Sequence, residues 1–108
     1  MNLPYPMSYN NYDWSELLYN SIQEHRYVLR LLNESKPYEI IKRAAYLSKA
    51  KELKQTINRC IRMLDFKVGF FGIYELYEYM ESTTNRPRFP WQLEKELGPY
   101  LRDVYAPY

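Results

Sequence analysis

Few side chains in this sequence have the type and spacing that chemistry at a site requires. There is one histidine, His25, and one cysteine, Cys60. Metal sites and acid–base centres need several titratable groups that converge. His25 has no second histidine to pair with, and it lies one helical turn from Ile22 and Leu29, so it reads as a histidine at the edge of a core. A carboxylate-bridged metal bundle would need Glu-x-x-His pairs on two helices. Cys60 has no disulfide partner and occupies an apolar position of a helical pattern, where a thiol behaves as a small hydrophobe. Glu75, Glu78 and Glu81 recur every third residue, the spacing of a solvated helix face. No phosphate-binding glycine loop, dinucleotide fingerprint or nucleophile signature is present in the sequence. The expectation is a protein that acts by binding, not an enzyme, with no cofactor and no metal.

Composition points the same way. The chain carries 13 tyrosines in 108 residues. Tyrosine offers a rigid apolar ring and a hydroxyl that tolerates water, which suits a surface alternately exposed and covered. The net charge of +2 is too small to argue for nucleic acid. Lys49, Lys51, Lys54, Arg59 and Arg62 cluster, but Glu52 interrupts them, as in a solvated face. Apolar residues make up 46% of the chain, yet their uninterrupted runs fall far short of the roughly 20 that span a bilayer. The opening MNLPYPMSYNNY has no basic patch followed by an apolar stretch. A cytoplasmic protein with no membrane partner is expected.

Four amphipathic segments must position whatever binds. Residues 1–12, with Pro4 and Pro6, show no period and read as a flexible tyrosine-rich tail; residues 13–108 read as a single helical-bundle domain. Asp13 and Glu16 have capping-box spacing, so a first helix should start there. Trp14, Leu17, Leu18, Ile22, Leu29 and Leu32 then repeat with a period of about 3.6 residues. Ser35 and Pro37 should close it and open a second helix over about residues 38–64. Ile40, Ile41, Ala44, Ala45, Leu47, Leu53, Ile57, Cys60, Ile61 and Leu64 form its expected apolar stripe. Gly69 suits a turn before a third helix over residues 70–84. After Asn85, Pro87 and Pro90, a fourth stripe runs through Trp91, Leu93, Leu97, Leu101 and Val104, with a kink or interruption expected at Pro99. The fold class is all-α, an antiparallel four-helix bundle with an irregular N-terminal tail.

Several stretches together resemble the FliS family of flagellar secretion chaperones. SELLYN at residues 15–20 is similar to the family's opening motif, and KAKELKQTINRCIRMLDF at 49–66 to its long helix ending in Leu-Asp. LYEYM at 76–80 resembles the family's LYDYM, and LRDVY at 101–105 its closing stretch. The matches keep the family's order and cover roughly residues 9–108. The resemblance implies a cytoplasmic chaperone that binds the carboxy-terminal segment of flagellin and prevents premature polymerisation. The side chains then expected to meet the partner are Tyr9, Tyr12, Leu18, Tyr19, Ile22, Leu53, Ile57, Tyr74 and Tyr77, with the tail covering the groove in the free state.

Two other classes share the helical pattern: a small regulatory or phage-type protein binding a different protein partner, and a nucleic-acid binder using the basic residues of the second helix. The apolar stripe makes its own prediction. Leu53→Asp or Ile57→Asp should cost several kcal/mol through an uncompensated buried charge. Thermal unfolding of each variant checks this, and an unchanged midpoint would place the residue at the surface.

Overall fold

The computed structural model describes residues 9–83 and 90–105. Among them the chain forms three α-helices and no strand: α1 Asn11–Glu34, α2 Ile40–Thr83 and α3 Pro90–Tyr105. The all-helical expectation is met, with three helices in place of four. Residues 1–8, 84–89 (including Asn85 and Pro87) and 106–108 lie outside the described residues.

Helix α1 begins earlier than Asp13, because the capping box is built one turn upstream. The Asn10 side chain accepts from the Asp13 amide at 2.9 Å, and the Asp13 carboxylate accepts from the Asn10 amide at 3.0 Å. Two of the amides left without partners at a helix start are satisfied reciprocally. At the other end Ser35 is extended. Pro37 does not open α2 but sits in the turn before it, which is closed by the Lys36 amide donating to the Glu39 carboxylate at 2.8 Å. Arg43 then staples the hairpin: its Nη1 donates to the Leu32 carbonyl at 3.1 Å, the Ser35 carbonyl at 3.3 Å and Ser35 Oγ at 2.8 Å.

α1 and the first part of α2 run antiparallel, with Lys67 Nζ near the Tyr9 carbonyl at one end and Arg43 at the Leu32 carbonyl at the other. The third and fourth expected segments are treated differently by the chain. Gly69 is the single non-helical residue inside α2, at φ 78° and ψ 173°. That region of backbone space is open essentially to glycine alone. Helical residues resume at once on both sides, so α2 turns at an elbow with no connecting loop. Gly72 lets the elbow close: a Cβ there would stand 2.6 Å from Val68 Cβ. α3 continues as helix through Pro99, where an interruption was expected. Pro99 and Lys95 are both exposed, so water can serve the Lys95 carbonyl that proline leaves without a helical donor.

The main core draws on every helix: Trp14, Leu18, Tyr19 and Ile22 from α1, Ile57, Cys60, Ile61 and Leu64 before the elbow, Ile73 and Tyr77 after it, and Leu97, Tyr100 and Leu101 from α3. A second, smaller cluster joins Val28 of α1 to Ala50 and Leu53 of α2, with Tyr46 packed against it. Glu81, expected on a solvated face with Glu75 and Glu78, is buried, while those two are exposed. Cys60 is fully buried, and loss of water around it pushes its thiol pKa up to about 12.

The elbow yields a clean test. A Cβ at Gly69 would meet nothing within 4 Å, so Gly69→Ala adds backbone strain without a clash. It should lower stability by about 1–3 kcal/mol in urea unfolding, and an unchanged midpoint would show that the elbow is not left-handed.

Candidate functional site

The α1–α2 hairpin extends beyond the main core. α3 has 16 residues, about 24 Å at 1.5 Å per residue, and meets α1 at Gln23, His25 and Arg26. The smaller cluster beyond that point contains residues of α1 and α2 alone. The hairpin therefore projects as a two-helix arm, and among the described residues no third helix covers its outer face.

That face is apolar. Ile40, Ile41 and Leu47 are 73%, 88% and 55% exposed, and Ala44 and Ala45 between them are exposed too. The sequence pattern had placed all five in the core stripe with Leu53 and Ile57, and the structure corrects this. At 100° per residue, Ile40, Ile41, Ala44 and Leu47 point roughly 140° away from Ala50, Leu53 and Ile57. One helix thus carries two apolar faces out of phase, and only one can pack on α1. The phase jump near residue 48 was present in the sequence, but a continuous list of apolar residues hides it. Tyr27, Leu29 and Tyr38 add exposed apolar surface to the same arm, and Arg30 stacks over the Tyr27 ring at 5.7 Å.

A second exposed patch lies at the elbow. Phe66 and Phe71 are open to solvent, and Phe70 makes edge contacts with Phe71, Tyr74 and Tyr105.

The residues expected to meet a partner are distributed as follows. Leu18, Tyr19, Ile22, Ile57 and Tyr77 come together, buried, in the main core, and Leu53 is buried in the smaller cluster. Tyr74 is half-buried and donates its hydroxyl to Glu94 at 2.5 Å. Tyr9 is half-buried, edge-on to Trp14 at 5.2 Å between centroids, and Tyr12 is exposed, against Tyr79 at 5.5 Å. A partner reaches the six buried side chains only if the helices part. The apolar face of α2 is, among the described residues, already exposed.

The base of the arm is held by polar contacts to α3. Glu96 is 4% exposed and accepts from Tyr77 Oη at 2.5 Å, from Arg26 Nη1 at 2.6 Å and from Gln23 Nε2. A buried carboxylate on which three donors converge fixes the helix that carries it. Beside it, His25 Nδ1 lies 2.7 Å from Tyr100 Oη, and Lys54 pairs with Asp103. Burial, aided by the Lys54 charge and opposed by Asp103, lowers the His25 pKa below 6.5.

Fold and site together define a class: an all-helical chain with an uncovered helix-packing face on a projecting hairpin. Among the described residues no helix is long and apolar enough to cross a membrane. Compared with family models, with curated proteins and with solved structures, the chain matches none.

The lowered His25 pKa has a definite sign. The folded state holds the imidazole neutral more strongly than the unfolded chain does, so the folded state is favoured above about pH 6.5 and loses that advantage as pH falls through the lower folded value. Thermal midpoints should fall between pH 7 and 5.5, and His25→Gln should flatten that slope. An equal slope in the variant would assign the effect to other groups.

Proposed function

We propose that this chain is a flagellar export chaperone-like protein that binds the carboxy-terminal segment of flagellin in the cytoplasm and keeps it from polymerising prematurely. The observation that carries the reading is the uncovered apolar face of α2 on the two-helix arm. A disordered client segment can fold there as an amphipathic helix and supply the packing partner that α3 is too short to provide. The colinear series SELLYN, the 49–66 stretch, LYEYM and LRDVY supplies the identity of the client. On this reading the two parts of α2, before and after Gly69, act as separate rods of an antiparallel four-helix bundle.

The magnitudes are reasonable for a transient complex. Covering a side chain such as Ile or Leu gains about 1.5–3 kcal/mol when burial is complete. Ile40, Ile41 and Leu47 are partly covered already, and ordering the client costs about 2–5 kcal/mol. Micromolar affinity is the expected scale, strong enough to hold a client and weak enough to release it for export.

Calorimetry and circular dichroism on the intact chain test the proposal. A flagellin carboxy-terminal peptide should give binding heat and gain helicity on mixing, and Ile41→Asp should weaken both. No heat and no helicity change at high micromolar peptide, across several flagellins, would defeat the flagellin reading.

A further inference from the structure

The outer face of α2 does not stay apolar. Ile40, Ala44, Leu47, Lys51, Gln55 and Arg62 share a stripe about 80° wide along the helix, and all are exposed, with half-buried Asn58 between Gln55 and Arg62 and exposed Arg59 beside the stripe. From Ile40 to Arg62 the stripe is about 33 Å long. Its first part is aliphatic and its second part cationic. Ala44, in the middle of the aliphatic part, allows a second helix to approach closely, since the distance between packed helices follows the size of the side chains at the contact. Neither Lys51 nor Arg62 forms an ion pair among the described residues, whereas Lys49 pairs with Glu24 at 3.7 Å and Lys54 with Asp103. Asp65 ends the stripe one three-residue step beyond Arg62, and Glu52 points roughly 90° off it, on the side of Ile41 and Arg59.

We propose that this face selects an amphipathic partner helix whose apolar stripe is followed by carboxylates: apolar residues against Ile40, Ile41, Ala44 and Leu47, acidic residues against Lys51 and Arg62. The inference rests on the reading that the face receives a partner helix, and it adds the partner's charge pattern and direction along α2. Exposed ion pairs between helices are individually weak, but two acting together, against two repulsive pairs for a basic partner, set a preference.

Two synthetic helical peptides with identical apolar positions test it, one with glutamate at two sites beyond the stripe and one with lysine there. Fluorescence anisotropy on the intact chain should give binding of the glutamate peptide at least about tenfold tighter at low salt, with the preference shrinking as salt screens the charges. Lys51→Glu with Arg62→Glu should reverse the preference, and Ile41→Asp should weaken both peptides. These positions are exposed, so unchanged helicity and melting of the variants should accompany the binding changes.

Equal affinity for the two peptides, binding of neither, or insensitivity to the charge reversals overturns the proposal. So does a concentration-dependent dimer, seen by sedimentation and abolished by Ile41→Asp, because a second copy would then occupy the face. The outcomes also separate this inference from the flagellin reading. A glutamate peptide that binds while every flagellin peptide fails removes only flagellin as the client. Flagellin binding that is indifferent to Ile41→Asp and to the charge reversals removes only this face.

Discussion

Gly69 is the constraint on which the rest of the structure depends. Its left-handed backbone lets α2 change direction within one residue, so Ile73 and Tyr77, which follow the elbow, return to the same core as Ile57, Ile61 and Leu64, which precede it. A residue with a Cβ would carry strain there, and a longer connection would add ordering entropy without adding contacts. Gly72 completes the joint by admitting the Val68 side chain at close range. Through this elbow Tyr77 is delivered to the buried carboxylate of Glu96.

That carboxylate ties three segments to one another. Tyr77 comes from α2 after the elbow, Gln23 and Arg26 from α1, and Glu96 itself from α3. An apolar residue in place of Glu96 would offer no directional contacts at that point, leaving the register of α3 to Tyr74 with Glu94, His25 with Tyr100 and Lys54 with Asp103. The contacts cluster at residues 23–26 of α1, which sets how far along the hairpin α3 reaches. The length of the uncovered arm therefore follows from where a buried acid finds its donors.

The arm keeps its shape by means that leave its outer face unused. Val28, Ala50 and Leu53 pack between the two helices, Arg43 ties the tip, and Glu24 meets Lys49. None of these groups needs Ile40, Ile41 or Leu47. Scattered exposed apolar side chains are ordinary on proteins, but a contiguous aliphatic face on an already supported helix is the kind of surface that takes a partner. Support and exposed apolar surface are carried by opposite sides of one helix.

Much of this was legible in the amino-acid order. Local periodicity and the scarcity of strand patterns determined that the chain is helical, that Leu18, Ile22, Ile57 and Leu64 are interior, that His25 sits at a buried position, and that a break falls at Gly69, because propensity and one-turn spacing are properties of neighbouring residues. The start of α1 was misplaced by a few residues because Asn10 and Asp13 cap the helix as well as Asp13 and Glu16 could, and only the folded turn chooses between them. The exposure of Ile40, Ile41 and Leu47 and the burial of Glu81 and Glu96 were decided in three dimensions. An apolar residue is interior only if another element arrives to cover it, and the Glu96 carboxylate is held in the interior by donors from distant parts of the chain. Both conditions depend on where α3 docks, and that position is set by residues more than seventy positions apart in the sequence, His25 with Tyr100 and Gln23 with Glu96.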